Sequence, residues 1–305
     1  MKLLLFFLSI TAIGYGQTTL IPDPNFEQAL INQGLDDVID GSVLTANISG
    51  LTHGSFNGQN IVNLAGIEDF VSLDTLSVHS NDLDFIDLSS NTSLTYLVCL
   101  DNPLQFGINL TNLNALWYLD LFNCTQLSSI DLSTNIALKC LLFEETPWLT
   151  SLDLSNNLQL EVLIGSNSAL TELDLSNNAA LQNIDCRGNY LNCLNLKNGN
   201  NANIQNIDAT FNFSLLCIEV DDTAYSNANW SNANFNFEAQ SLFSTDCNNA
   251  CSSSSSAGIE QLTNTKKELV KIIDFMGRKT QFKPNTPLIF IYSDGTRERV
   301  MEIEE

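Results

Sequence analysis

Positive charge is scarce in this chain. Its 305 residues carry 12 Lys and Arg against 35 Asp and Glu, a formal net charge of -23. Binding a phosphate backbone requires a basic footprint, and a field of this sign repels polyanions at long range, so no nucleic-acid partner is expected. Histidine is scarcer still. Only His53 and His79 are available as bases near neutral pH, and neither sits in a motif with a nucleophile and an orienting carboxylate. No catalytic residue, and hence no enzyme activity, is expected. Charged residues amount to 15% against 44% hydrophobic, the balance of a globular chain and not of a disordered acidic tail. Past the N-terminus no stretch reaches the ~20 apolar residues that a membrane span needs, which predicts no transmembrane segment in the mature chain. Metal and cofactor signatures are missing too. The segment GLDDVIDG (34 to 41) is acidic, but counted from Asp36 the third place of an oxygen-ligand calcium loop is Val38 and the twelfth is Asn47.

What is abundant is asparagine, at 38 residues. Asn is a poor helix and strand former and a good turn former, so the chain turns often. The ends are of another character. Residues 1 to 16 place Lys2 before an apolar run to Ile13 and the small residues Gly14 and Gly16, the pattern of a signal peptide, with maturation near Gln17. Between 17 and 258 lie 3 basic and 27 acidic residues, whereas 259 to 305 carries 8 of each. Residues 251 to 258, with the run Ser252 to Ser256, read as a flexible linker. Beyond it, VKIIDFMGRKT and PLIFIYSDGTRERVMEIEE alternate apolar and polar residues around Gly277 and the Asp294-Gly295 turn, as short strands do. The Met276, Gly277, Arg278 box followed by the strand Ile289 to Tyr292 resembles the C-terminal sorting domains of bacterial type IX secretion substrates. That resemblance implies handling by the type IX secretion machinery and a product that is secreted or attached to the outer-membrane surface.

The middle repeats, and a repeat governs the reading of everything else. Leu73, Leu94, Leu116, Leu138, Leu160, Leu181 and Ile204 each open a frame L-x-x-L-x-L, at spacings of 21, 22, 22, 22, 21 and 23 residues. About eight residues into each frame comes Asn or a substitute: Asn81, Asn102, Cys124, Thr146, Asn167, Asn189 and Asn212. A second strand-like unit follows, as in FIDLSSN, SIDLSTN, SLDLSNN and ELDLSNN, so each period is one coil with two extended sides. Over 73 to about 222 this resembles the leucine-rich repeat family, in its short bacterial form with Cys among the core positions. The resemblance implies a mostly β solenoid over 51–222, with a helical cap over 17–50, an irregular C-terminal cap over 223–250 and a small β-type tail domain over 259–305. One coil cannot bury its own Leu row, so coils stack ~4.8 Å apart around a shared apolar spine, and amides in the turns pair with buried backbone. The acidic column Asp87, Asp131, Asp153 and Asp174 reads as a solvated strand face.

Both ends of a stack must be covered. Pro24, the apolar face of Phe26, Ala29 and Leu30, and Gly34 mark a helix that lids the first coil. Tyr225, Trp230, Phe235, Phe237 and Phe243, outside the repeat register, mark the closing cap. Cys217 and Cys247 bracket that cap and are the expected disulfide, with Cys251 competing for either partner and Cys124, Cys140 and Cys193 unassigned. Cys99 and Cys186, four coils apart at roughly 19 Å, are expected as buried free thiols.

Outward residues of the first strand line the concave face of such a stack, where ligands usually bind. In the central coils these are unusually apolar: Tyr96, Val98, Trp117, Tyr118, Leu142, Val162 and Ile164 form one patch with acidic residues at both ends. The expected function is non-enzymatic recognition or adhesion, with a protein or glycan ligand centred on Trp117 and Tyr118. The alternative is a structural surface or matrix component without a discrete ligand.

Overall fold

The computed structural model describes residues 16–231, 233–247, 251, 269–273, 279, 281, 288–292 and 297–300. Residues 1–15 of the expected signal peptide, residues 252–258 of the linker and the 276–278 box lie outside them. The chain divides into two compact units, Met1–Ser255 and Ser256–Glu305. In the second, the strands Leu269–Ile273, Leu288–Tyr292 and Arg297–Val300 form an antiparallel sheet.

The first unit is a mostly β solenoid. Nine short parallel strands stack in chain order: His53–Ser55, Thr75–Ser77, Tyr96–Val98, Tyr118–Asp120, Cys140–Leu142, Val162–Ile164, Asn183–Asp185, Asn206–Asp208 and Phe235–Asn236. The register is uniform, with Leu76, Leu97, Leu119, Leu141, Leu163, Ile184 and Ile207 abreast. All seven are buried in one apolar cluster that runs from Ile21 to Trp230. Full burial of each such side chain contributes roughly 1.5–3 kcal/mol.

The sheet begins one coil before the first Leu frame. Leu51, Gly54 and Phe56 fill the same three places, with Gly54 where Leu is expected because the Phe56 ring occupies that space. The exchange recurs at Gly165, where an added Cβ would collide with the ring of Phe143 from the preceding coil. A large side chain in one coil and none in the next keep the spine filled.

Two columns of buried polar side chains tie coil to coil. In the first, Asn102 Nδ2 donates to the carbonyls of Cys99 and Val78 at 2.9 and 3.1 Å, and its Oδ1 accepts the Leu83 amide at 3.1 Å. Asn81, Asn189 and Asn212 repeat the arrangement. Cys124 and Thr146 donate to the carbonyls of Cys99 and Phe143, and the Thr146 hydroxyl also bonds Ser168 Oγ at 2.7 Å. Burial pushes the Cys124 thiol up to about 12, so it stays protonated and able to donate. Asn167 does not belong to this column. It adopts φ +53 and points outward to Glu145, and Ser168 donates to the Phe143 carbonyl instead. The second column escaped the sequence reading. Asn91, Asn135, Asn157 and Asn178 are fully buried at the opposite turn, and each Nδ2 donates to two backbone carbonyls, at least one in the preceding coil.

The second extended side is less regular than the sequence implies. Phe85–Asp87 pairs with Gly107–Asn109, and Glu172–Asp174, Cys193–Asn195, Cys217–Glu219 and Leu242–Ser244 form a four-stranded parallel sheet. The coils at 129–135 and 151–157 form turns there, without a strand. The acidic column is correspondingly more than a solvated face. Asp87, Asp131, Asp153 and Asp174 each accept, through Oδ1, the amide of the Ser two residues on, at 2.9–3.0 Å, closing an Asx turn that directs the chain around the corner.

At the N-terminal end the helix Pro24–Asn32 lids the stack, its Phe26 ring packed against Phe56 and Phe70. Asp23 caps the helix with one oxygen, on Asn25 and Phe26, and holds the amides of Val62 and Asn63 with the other. The cap also contains an antiparallel pair, Thr18–Leu20 with Ser42–Leu44. The acidic loop before Ser42 folds onto buried Glu27, whose Oε1 accepts the amides of Asp40, Gly41 and Ser42. At the other end the cap is not outside the register. Phe235 and Leu242 continue both sheets, delayed by the inserted helix Thr223–Asn229. Buried Trp230 stacks on Phe235 and Phe237 and meets Phe243 edge-on. Disulfides join Cys217 to Cys247 and Cys193 to Cys251, while Cys99, Cys124, Cys140 and Cys186 are free thiols.

Two stability outcomes follow from this packing. Gly165→Ala costs about 1–3 kcal/mol in urea unfolding by displacing the Phe143 ring, and adding Phe143→Leu recovers part of it; a strictly additive double variant would refute the paired-space account. Turn residues Asp101, Asn123, Glu145, Asn167 and Gly188 share a left-handed column with Phe211, whose φ is +59 and whose ring is 61% exposed. Asn is at ease in that conformation and Phe is not, so Phe211→Asn stabilises by about 1 kcal/mol, read as a raised urea midpoint.

Candidate functional site

The outward face of the nine-stranded sheet consists of three columns set by strand alternation. The middle position of each strand points into the spine, so its neighbours point out. One column runs Thr75, Tyr96, Tyr118, Cys140, Val162, Asn183. The next runs Ser77, Val98, Asp120, Leu142, Ile164, Asp185, Asp208. A third lies one residue before the strands and contains Asp74, Thr95, Trp117, Lys139, Glu161 and Gln182. Every residue of the patch read from the sequence therefore lies on one face of adjacent rungs.

Three of them touch. The Tyr96 and Tyr118 rings stack with centroids 4.2 Å apart and planes 8° from parallel. Trp117 lies 5.6 Å from Tyr96 and 5.7 Å from Tyr118, tilted against both, and remains 42% exposed. A rigid stack of this kind loses little side-chain entropy when a ligand settles on it. Val98, Leu142, Val162 and Ile164 are half-buried along the neighbouring rungs.

The residue that the sequence reading left out of the patch is Asp120. It sits between Val98 and Leu142 in its column, and only 8% of it is exposed. Burial among these neighbours, reinforced by the charge of Asp101, raises its carboxyl above the usual range. The Phe122 amide, 3.0 Å from Oδ1, acts in the opposite direction. Its signal in the sequence was positional: the same frame place holds Val in the coil before and Leu in the coil after.

Acidity continues along the sheet. Glu144 is raised by burial and by Asp185 and Asp120, against a Ser166 hydrogen bond and the charge of Arg187, and Asp185 is raised by burial and by Asp208, against the amide and charge of Arg187. Cations are few. Lys139 bonds Glu161 at 3.0 Å, Arg187 lies 3.4 Å from Asp185, and Lys197, on the other sheet, is 3.7 Å from Glu219. Half-exposed Cys140, beside Tyr118, has its thiol pushed up to about 11 by burial and by Asp120, so it is not a reactive thiolate at neutral pH. The arrangement offers contact area, aromatic faces and negative potential.

No protein-family profile matches the chain, and no curated protein does. Among described residues, no helix is long and apolar enough to cross a membrane. Among solved structures, the chain is similar to internalin C2 of Listeria monocytogenes, over 65% of this chain and 100% of that one, at 21% identity and a TM-score of 0.49. It is also similar to the internalin InlF of the same organism, over 74% of this chain and 71% of that one, at 18% identity and a TM-score of 0.52. The likeness to InlF concerns the fold, and that fold is a mostly β solenoid resembling the leucine-rich repeat internalins.

Proposed function

We propose that this protein is an exported, non-enzymatic recognition protein that captures a protein ligand on the outward face of its nine-stranded sheet. The observation that carries the reading is the preassembled Tyr96, Trp117, Tyr118 cluster, continued by Val98, Leu142, Val162 and Ile164. Aromatic groups held rigid at the centre of a face, with half-buried aliphatic residues around them, are what binding hot spots are made of. A face with no role in contact favours polar side chains there.

The export route rests on the sequence: the pattern over residues 1–16, the resemblance of the tail to type IX sorting domains, and two disulfides, which persist in oxidising compartments. On this reading the product is secreted or held at the outer-membrane surface. Its intact mass begins at Gln17, and denaturation without reduction exposes four alkylatable thiols. A retained N-terminus or eight reactive thiols would overturn the export assignment.

The recognition reading is tested by presenting residues 17–305 to arrays of cell-surface proteins and of glycans. Saturable capture of a protein is expected, with Trp117→Ala and Tyr118→Ala each weakening it at least about tenfold while leaving the circular dichroism unchanged. Capture that survives both substitutions removes the patch from consideration. Capture of glycans alone would reassign the ligand class, and self-association alone would make the protein a structural component.

A further inference from the structure

Over residues 17–258 carboxylates far outnumber cations, and the sheet face shares that imbalance. Between residues 17 and 258 there are only three basic residues, Lys139, Arg187 and Lys197. Each is already in an ion pair, with Glu161, Asp185 and Glu219 respectively. Asp120, only 8% exposed, is in none of these pairs and meets favourable charge from His79, and half-buried Glu144 meets it from Arg187. A carboxylate taken out of water without a counter-charge is costly, and a partner that brings one recovers that cost on binding.

The neighbours of Asp120 narrow what such a partner can be. Tyr118 lies two residues away on the same strand and face, and the rings of Tyr96 and Trp117 adjoin it. Aromatic faces attract a guanidinium or ammonium group through the ring quadrupole, and a carboxylate alongside adds a charge-assisted hydrogen bond. On the next two rungs, Leu142, Val162 and Ile164 offer only hydrocarbon. A neutral sugar would gain from the rings but would leave its hydroxyls against these aliphatic groups and the carboxylates unneutralised. A basic polypeptide satisfies all three features, because Arg and Lys place a cation at the end of an apolar stem.

We propose that the occupant of this face is a cationic protein segment, with an Arg or Lys side chain seated on the Tyr96, Trp117 and Tyr118 rings against Asp120, and apolar side chains on Leu142, Val162 and Ile164. This rests on the recognition reading above and gives the partner its chemistry.

The probe is fluorescein-labelled hexa-arginine, with hexa-glutamate and a neutral Gly/Ser hexapeptide as comparisons, followed by anisotropy on residues 17–258 and on the full mature chain. An acidic protein attracts any polycation diffusely, so the decisive measurement is where binding is lost. Asp120→Asn and Trp117→Ala are each expected to weaken hexa-arginine about tenfold. The double variant Asp131→Asn/Asp153→Asn removes twice as much charge from the opposite side and keeps the Asx-turn acceptors; it is expected to change binding less than about twofold. Equal losses in both would show attraction by net charge alone and overturn the proposal, as would hexa-arginine binding no better than the neutral peptide. Should Trp117→Ala disturb folding, Asp120→Asn, which preserves size, decides the matter. A natural ligand that is neutral or acidic, yet released by Trp117→Ala, would overturn the cationic assignment and leave the recognition reading standing.

Discussion

The whole solenoid depends on one spacing. Parallel strands hydrogen-bond at ~4.8 Å, and every other feature has to fit that interval. A buried side-chain amide suits it because one Asn has two donors and an acceptor, enough to hold the turn of its own coil and reach the coil before it. Asn91, Asn135, Asn157 and Asn178 at one turn, and Asn81, Asn102, Asn189 and Asn212 at the other, tie successive rungs together at both corners of the stack. The apolar spine supplies the free energy of stacking, and the amides supply its register. Gly54 and Gly165 show how far the spine can be varied while the spacing is kept, since each yields its place to a neighbouring Phe.

The frames from Leu73 onward were legible because period and residue type coincide there. Where they part, the sequence misled in consistent ways. The expected solenoid begins at residue 51, but the Leu frame does not show its first coil because Gly54 stands in a Leu position, and it does not reach the last because the helix Thr223–Asn229 lengthens the period before Phe235. Asn167 was assigned by residue type to a ladder that its neighbour Ser168 occupies, since an Asn suits both a buried ladder and a left-handed corner. The DLS motifs were legible as a column but not as Asx turns, a distinction that rests on which amide each carboxylate reaches.

The proposed binding face follows the same division. Strand alternation alone placed the aromatic and aliphatic residues on one side, and their identities suggested contact. Their mutual geometry was not readable, because ring stacking depends on rotamers that one strand's sequence does not determine. Asp120 was passed over for the opposite reason. A carboxylate reads as solvated until its flanking rungs, Val98 and Leu142, are known to enclose it. Its burial makes the face incomplete in charge, where a purely apolar patch would be incomplete only in area.

The bond between Cys193 and Cys251 has a mechanical meaning. Cys193 belongs to the four-stranded side, and Cys251 lies near the end of the first unit, which closes at Ser255. A pull exerted on the segment that follows therefore enters the solenoid through a covalent link to an inner rung, and the aromatic lid around Trp230, enclosed within that loop, is shielded from peeling. At the opposite end, among the described residues, packing and hydrogen bonds around Phe26 close the stack without a covalent link.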